Sequence, residues 1–311
     1  MYAIHVQSDH PDRPLVWQET ADPTIGPDEV LVAIHATALN RADLSQRAGN
    51  YPPPPGAPDI IGLEMAGTIT AVGANVRNWR PGDRVCALLG GGGYAEAVAV
   101  HQDMLMPVPP GWSFEEAAAL PEVYLTAFVN LFMEAALQPG ETALVHGGAS
   151  GVGTAAIQLL RHAGHTVIVT AGTPEKAARC QELGADLAIN YREEDFAQAV
   201  QRFTQEQGVD VILDMVGSDY YERNIELLKL KGRLVFIATL SGSQAPLDIT
   251  RLMRKRLRLI GSVLRPRTLA EKVEIKNQFM ARFWPAIEQG AIRPVIDRVY
   301  PIQEANAAQA R

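Results

Sequence analysis

The sequence predicts an α/β protein in which a largely antiparallel β domain is followed by a doubly wound parallel sheet. The first observation is a change of texture near residue 113, from short strands broken by Gly, Pro and Asp to a regular alternation of strands and helices. The second is that the later strands are fully apolar, which is typical of a parallel sheet covered by helices on both faces. A chain of 311 residues is long enough for two such domains.

The early part contains short strands rich in Val, Ile, Ala and Thr, and one helix interrupts them. That helix is predicted at 40–49, because Gly49 and the four prolines at 52–55 end it. A second helical stretch is predicted from Ser113 onward, where Pro121 should kink or divide it. The predicted strands are MYAIHV, LVWQET, EVLVAIHATAL, MAGTITAVG, DRVCALL and GYAEAVAVH.

In the later part, strands and helices alternate from residue 142. A long amphipathic helix is predicted after residue 267, followed by the strand VIDRVYP and a last short helix. The basic run at 251–267 is predicted to form a solvated helix face followed by a strand. The alternating segments are TALVHG, GVGTAAIQLLRHAG, TVIVTA, PEKAARCQELG, LAINY, DFAQAVQRFTQEQG, VDVILDMVG, SDYYERNIELLKLKG, RLVFIAT, PLDITRLMRKR and LRLIGSVL.

A glycine-rich turn joins the first strand and the first helix of this alternating array. Gly151, Gly153 and Ala156 follow the spacing GxGxxA, in which the first glycine permits a tight turn and the second lets backbone N–H groups approach a pyrophosphate. The small third residue lets the helix pack on the strand, and the helix N-terminus favours an anion. Between a strand and a helix, this turn predicts a dinucleotide-binding site.

The end of the second strand of the array indicates which dinucleotide is bound. Ala171 stands where an NAD-binding chain carries the acid that holds the ribose 2′-hydroxyl. Gly172, Thr173 and Lys176 offer a backbone, a hydroxyl and a positive charge instead. An adenosine 2′-phosphate needs such donors and is repelled by an acid, so NADPH is predicted rather than NADH. Glu175 is nearby, but it is expected to point away on the first helical turn.

The composition is that of a globular protein, with 47% hydrophobic and 20% charged residues. A net charge of −7 argues against nucleic acid or an anionic membrane as the main partner, since both need a basic face. The N-terminus does not resemble a signal peptide, and no apolar run reaches membrane-spanning length. Cys86 and Cys180 lack a CxxC or Cys/His neighbour and are predicted to be buried, reduced thiols, so a cytoplasmic protein is predicted.

Three segments accompany the glycine turn: ALNRADLSQRAGNYPPPPG at 38–56, GLEMAG at 62–67 and AALPEVYLTAF at 118–128. The motifs NRAD and NYPPPPG in the first of them, and SGVGTAAIQL in the glycine turn, are specific to one branch of a family. Together they resemble the zinc-independent quinone oxidoreductases of the medium-chain dehydrogenase/reductase superfamily, and among these the p53-inducible quinone oxidoreductase group. The resemblance implies a GroES-like catalytic domain at 1–122, completed by 267–311, and a Rossmann NADPH-binding domain at 123–266. It also implies a homodimer, in which the edge strand at 257–264 pairs with its copy across a two-fold axis.

The positions of the zinc ligands in zinc-dependent relatives predict that this chain binds no metal. Those relatives carry a Cys at the position of Asn40 and a His at that of Leu63, and they have a four-cysteine lobe that this chain lacks. Only Glu64 remains, whereas zinc needs three or four ligands at short range. The histidines are scattered and are expected to be ordinary surface or core residues; they include His101, His146, His162 and His165.

The resemblance implies hydride transfer from NADPH to a quinone in the inter-domain cleft, since an electron-poor quinone needs little electrophilic help. Tyr51 is the first candidate donor, because its phenol can donate to a carbonyl oxygen and the prolines after it stiffen the loop. A purely structural role, packing under that loop, is the alternative. Asn40 is expected to orient the nicotinamide or the substrate carbonyl, and Ser150 to lie close to the nicotinamide.

The family pattern implies further contacts with the cofactor. Thr126 and Leu264 match positions near the nicotinamide, and Tyr191 matches a position that stacks near the adenosine end. The full set of predicted cofactor-binding residues is Asn40, Thr126, Gly148, Ser150, Gly151, Val152, Gly172, Thr173, Lys176, Tyr191 and Leu264.

Two other functions stay open at the level of the sequence. Reductases of enones or enoyl thioesters share this scaffold and need a donor that stabilises an enolate, although an acidic chain suits a coenzyme A ester less well. A non-catalytic, crystallin-like protein that keeps NADPH is the other alternative. The presence of Asn40, Tyr51 and Ser150 argues against that alternative.

Overall fold

The computed structural model describes residues 1–311. They divide into two units: the first contains Met1–Glu122 and Arg265–Arg311, and the second contains Val123–Leu264. The chain therefore leaves the first unit once and returns to it near the C-terminus.

The first unit is built on antiparallel strands, as the alternating apolar patterns predict. Strands β1 and β2 form a hairpin, and the other five form one sheet in the order β6-β3-β4-β5-β7. Gly67 of β4 packs against the backbone of Ala33 in β3 so closely that a Cβ would collide with the carbonyl oxygen. The strands are β1 (Tyr2–Val6), β2 (Leu15–Glu19), β3 (Glu29–Ala36), β4 (Glu64–Val72), β5 (Arg84–Leu88), β6 (Ala97–His101) and β7 (Leu105–Pro107).

Three helices follow the predicted boundaries. Helix α1 (Arg41–Arg47) begins after Asn40, whose N–H donates to the Asp43 carboxylate at 2.8 Å. Helix α2 (Phe114–Ala118) ends before Pro121, and α3 (Pro121–Phe128) begins there, so the proline divides the stretch as predicted. A π-helical turn at Val129–Glu134 continues α3.

The second unit contains a six-stranded parallel sheet in the order β10-β9-β8-β11-β12-β13, the doubly wound order that the alternation of strands and helices predicts. Its central strands are buried because helices cover them, and its core includes Leu144, Ile168 and Ile212. The strands are β8 (Thr142–Val145), β9 (Thr166–Ala171), β10 (Leu187–Asn190), β11 (Val209–Asp214), β12 (Leu228–Phe236) and β13 (Arg258–Gly261). The helices are α4 (Gly151–His162), α5 (Pro174–Glu182), α6 (Phe196–Phe203), α7 (Ser218–Leu227) and α8 (Ile249–Lys255).

The returning segment completes the first unit. It forms α9 (Leu269–Glu288) and α10 (Ala305–Gln309). In α10 the Asn306 side chain accepts a hydrogen bond from the N–H of Leu15 at 3.0 Å and donates to its carbonyl at 2.7 Å, which ties the C-terminus to β2. No helix in the chain is both long and apolar enough to cross a bilayer.

The predicted strand VIDRVYP is wrong. Its residues form neither a helix nor a strand, and Val299 is 60% exposed. Apolar β-branched residues favour a strand only when a neighbouring strand offers a surface to pack on. No strand of the first unit pairs with this segment.

Candidate active-site groups in the two units

The glycine turn of the second unit lies between β8 and α4. Ser150 caps α4, because its Oγ accepts the N–H of Gly153 at 3.1 Å. A glycine is required at position 153, because a Cβ there would collide with the carbonyl oxygen of Gly147. A Cβ at Gly151 would lie 2.8 Å from Cγ1 of Val123. The turn therefore brings bare backbone to a helix N-terminus, where an anion is favoured.

A cavity of about 260 Å³ opens beside this turn, at the carboxyl ends of β8, β9 and β10. It brings together five predicted cofactor-binding residues from three separate segments, namely Ser150, Gly172, Thr173, Lys176 and Tyr191. The other residues that line it are Gly147, Ala149, Ala171 and Arg192. The carboxyl end of a doubly wound sheet is where such folds bind their ligands.

The cavity is lined by two cationic side chains and by no carboxylate. Lys176 and Arg192 both line it, and Ala171 at the end of β9 is buried and offers no acid. Thr173 caps α5, and a hydrogen bond with it lowers the pKa of the Glu175 carboxyl, which does not line the cavity. This electrostatic environment favours a phosphate over a bare hydroxyl.

Arg192 was not among the residues predicted from the sequence. The only feature of the sequence that could have indicated Arg192 is its position, since it follows Tyr191 directly after β10. Tyr191 is 41% exposed and packs its ring edge-on against Tyr220, with centroids 6.4 Å apart. A Cβ on Gly172 would lie 2.8 Å from the Tyr191 hydroxyl, so a larger residue there would require the Tyr191 ring to shift.

Five predicted cofactor contacts of the second unit do not line the cavity. Gly148 lies beneath the turn, with its N–H donating to the carbonyl of Thr170 at 2.8 Å. The remaining four are Gly151 and Val152 in the first turn of α4, Thr126 in α3 and the buried Leu264. Their contacts with a cofactor stay predictions.

In the first unit, the partly buried Asn40 is hydrogen-bonded to the buried Glu64. The Asn40 amide donates to Glu64 Oε1 at 2.6 Å, and the N–H of Glu122 donates to Glu64 Oε2 at 2.8 Å. Burial raises the pKa of the Glu64 carboxyl to about 8, although both hydrogen bonds lower it. Leu63 is buried and has no ligand atom. Because N–H donors occupy both oxygens of Glu64, these residues do not fit a zinc ion.

Tyr51 is half-buried in the first unit beside the guanidinium of Arg265. Nη1 of Arg265 donates to the Tyr51 carbonyl at 3.2 Å, and its guanidinium carbon lies 5.2 Å from the centre of the Tyr51 ring. Nε donates to Gly90 and Nη2 to Gln46, each at 2.8 Å. Burial, and to a smaller extent the Glu122 carboxylate, raise the pKa of the Tyr51 phenol, so it stays protonated.

Arg265 corrects the prediction for the basic run at 251–267. The prediction is a solvated helix face followed by a strand, but Arg265, which follows that strand, is only 3% exposed and anchors the loop that carries Tyr51. The prediction holds for Arg254 in α8, which is exposed. A run of like charges does not reveal which of its members turns inward.

Two further acids accompany Glu64. Burial raises the pKa of Asp43 to about 7 and that of Glu122 to about 8, and the nearby Arg265 opposes both shifts. Oε2 of Glu122 is buried without a hydrogen-bond partner. The carboxyl groups of Glu64 and Glu122 are therefore mostly protonated near neutral pH, and that of Asp43 is partly protonated.

Comparisons with known proteins agree with this architecture. Residues 26–110 match the family model of the alcohol dehydrogenase GroES-like domain, and 151–277 match that of the zinc-binding dehydrogenases. A quinone oxidoreductase of Sus scrofa is 33% identical over 93% of this chain and 87% of its own length.

Two solved structures superpose over almost the whole chain. An Escherichia coli quinone oxidoreductase complexed with NADPH aligns with a TM-score of 0.86 at 30% identity, covering 100% of this chain and 95% of that one. The CurK enoyl reductase aligns with a TM-score of 0.85 at 30% identity, covering 99% of this chain and 94% of the other.

Proposed function

The chain belongs to the quinone oxidoreductases of the medium-chain dehydrogenase/reductase superfamily, and on that premise we propose that it reduces quinones with NADPH. The predicted family and the GroES-like and Rossmann fold class are thereby confirmed. The observation that carries the proposal is the cavity beside the glycine turn, with Lys176 and Arg192 and no carboxylate in its lining. The two cationic side chains provide the positive charge that a 2′-phosphate requires. The likeness to a quinone oxidoreductase complexed with NADPH supports the same cofactor.

The residues of the second unit fit NADPH. The pyrophosphate would lie at the N-terminus of α4, beside Gly151 and Val152. The adenosine 2′-phosphate would lie against Lys176 and Arg192, with Tyr191 beside the adenosine. When bound, NADPH supplies a hydride.

The first unit supplies the proton donor in this proposal. Tyr51 donates its phenolic hydrogen to the acceptor oxygen as negative charge develops there. Arg265 holds the Tyr51 loop through its bonds to the Tyr51 and Gly90 carbonyls, which limits the motion of the ring. Asn40 orients the acceptor or the nicotinamide, and Ser150 lies close to the nicotinamide.

We propose that the reaction needs no metal. The support is the donor set, since Asn40 donates to Glu64 and Leu63 offers no ligand atom. A quinone suits this site because it accepts a hydride without a Lewis acid.

The free, buried thiols of Cys86 and Cys180 support a reducing, cytoplasmic location.

Reduction of an enone or enoyl thioester is the second candidate. It is supported by the likeness to the CurK enoyl reductase, which is as similar in sequence as the quinone oxidoreductase of Escherichia coli. The same Tyr51 phenol would serve, because an enolate oxygen also needs a donor.

A substrate panel separates these functions. NADPH oxidation is measured with ortho- and para-quinones, enones and crotonyl-CoA, before and after exhaustive chelation. We expect turnover of quinones that survives chelation, with kcat/KM for the best quinone about 10-fold or more above that for any enone. Faster reduction of enones or crotonyl-CoA supports the second candidate. NADPH binding without any turnover supports a crystallin-like protein.

A further inference from the structure

A buried polar chain lies behind the glycine turn, and His146 is its centre. His146 follows β8 and is fully buried, with the rings of Phe196 and Tyr220 set edge-on against it at 4.9 and 4.8 Å between centroids. Its Nδ1 lies 3.1 Å from Oγ1 of Thr170, and its Nε2 lies 2.8 Å from Oδ1 of Asn224. The sequence predicted only an ordinary histidine, yet both of its ring nitrogens have partners.

The buried polar chain extends beyond Thr170 at one end and beyond Asn224 at the other. At one end, the N–H of Gly147 donates to Oγ1 of Thr170 at 3.2 Å. At the other end, Nδ2 of Asn224 donates to Oδ2 of Asp214 at 3.1 Å. The other oxygen of Asp214 accepts the N–H of Val216 at 2.6 Å. Hydrogen bonds therefore link the glycine turn to β9, α7 and the end of β11.

These hydrogen bonds can run in only one direction. Asp214 accepts as a carboxylate, so Nδ2 of Asn224 must face it and Oδ1 of Asn224 must face His146. Nε2 of His146 therefore carries the hydrogen, and Nδ1 is left as the acceptor of the Thr170 hydroxyl. The oxygen of that hydroxyl is then free to accept the Gly147 N–H. Burial lowers the pKa of His146 to about 4, which agrees with a neutral ring.

Three amides of the turn are already bonded inside the protein. Thr170 takes two of them inward, the N–H of Gly147 through its hydroxyl and that of Gly148 through its carbonyl. The N–H of Ser150 bonds to the carbonyl of Gly147 at 2.8 Å. The amides of the turn without a hydrogen bond inside the protein are those of Ala149, Gly151 and Val152.

We propose that Thr170, His146, Asn224 and Asp214 are positioning residues that hold the glycine turn in the conformation in which it binds the dinucleotide. This inference rests on the proposed function, because the bound group is the pyrophosphate of NADPH. The Thr170 hydroxyl, which the other three side chains orient, holds the amide of Gly147 inward, beside that of Gly148 on the Thr170 carbonyl, and the outward amides are left to face the anion. None of the four side chains needs to touch the cofactor.

Replacement of Thr170 tests this role. Thr170→Val removes the hydroxyl and keeps the shape, and Thr170→Ser restores the hydroxyl. We expect Thr170→Val to raise the Kd of NADPH and of NADH by the same factor, about 5- to 20-fold, because the pyrophosphate is common to both. Thr170→Ser should stay within about twofold of wild type. The matched control is Ile168→Val, which trims a buried side chain in the same strand and should lower Tm without changing either Kd.

A second readout does not depend on the cofactor. The exchange rate of the Gly147 amide, measured by NMR in the ligand-free protein, should rise in Thr170→Val and stay slow in Thr170→Ser and Ile168→Val. Should Thr170→Val not fold, Thr170→Ala carries the same test. The inference is overturned if Gly147 exchanges at the wild-type rate in the hydroxyl-deleted variant, or if that variant binds both cofactors as Ile168→Val does. If the wild type binds neither cofactor, the proposed function fails. Exchange of the Gly147 amide still decides whether the buried polar chain holds the turn.

Discussion

Tyr51 is the residue on which the proposed proton transfer depends. Tyr51→Phe deletes the hydroxyl and keeps the ring that packs beside Arg265. We expect kcat to fall by about 10- to 1000-fold, because a donor to the developing oxyanion is lost. The Kd of NADPH should not change, since a group that acts only in the transition state affects turnover.

Steady-state kinetics over a series of quinones measures this effect. The loss should be smaller for the most electron-poor quinones, which need the least help. The matched control is Tyr2→Phe, which removes a hydroxyl from an exposed tyrosine of the β1–β2 hairpin. Wild-type turnover of Tyr51→Phe across the series would assign Tyr51 a structural role and make Asn40 the next residue to test.

At the scale of single residues, the glycine turn could be predicted from the sequence, whereas the charged residues Arg192 and Arg265 could not. The glycine spacing and the missing acid at Ala171 predicted the cavity, because these features are local in the chain. Arg192 was missed because only folding brings the end of β10 beside α5. Arg265 was missed because its partners are Gln46, Tyr51 and Gly90, which lie far from it in the sequence.

At the scale of elements, strands with their partners inside the chain were predictable. Fully apolar runs predicted β8 and β9, since each is buried on both faces by helices. Residues 295–301 are also rich in β-branched residues, but they include the charged Asp297 and Arg298 and pair with no strand of the first unit. The composition of a segment indicates its preference for a strand. Whether a neighbouring strand is present to pair with it cannot be read from the segment itself.

Strand β13 carries the prediction about assembly. It pairs only with β12 and forms one edge of the parallel sheet, and the nearby Val263 is 52% exposed. An unpaired apolar edge favours addition of another strand, so we predict a homodimer through 257–264. Sedimentation at micromolar concentration should show a dimer, and Val263→Glu should weaken it by about 10-fold or more. The matched control is Leu230→Glu, at a residue that is 56% exposed in β12. A wild-type monomer at this concentration would refute the prediction.

At the scale of the whole molecule, the buried acids make stability depend on pH. The pKa values of Glu64 and Glu122 are raised to about 8 by burial, so the folded protein binds more protons than the unfolded chain between their ordinary range and pH 8. The free energy of unfolding must therefore fall as pH rises through this window. His146 acts in the opposite sense, but only below its ordinary pKa of 6.5, because burial lowers its pKa.

Denaturant unfolding at pH 6.5, 7.5 and 8.5 isolates the acids from His146. We expect the wild type to lose on the order of 1–3 kcal/mol over this range and Glu122→Gln to lose less, because the neutral amide does not ionise. Glu304→Gln, at an exposed glutamate, is the control and should follow the wild type. A wild-type free energy of unfolding that stays constant or rises over this range would contradict the assignment of protonated acids to the first unit.

Selection of NADPH by the cavity of the second unit is the central claim, and the ratio of the Kd values of NADH and NADPH tests it most directly. Calorimetry on the wild type should give an NADPH preference of about 5- to 150-fold. Lys176→Ala and Arg192→Ala should each reduce it by about 5- to 20-fold, chiefly by raising the Kd of NADPH. Arg179→Ala, which removes a cation of α5 that pairs with Glu182, should leave the ratio unchanged. Equal affinity for the two cofactors in the wild type, or equal losses for both in Lys176→Ala and Arg192→Ala, would contradict the account.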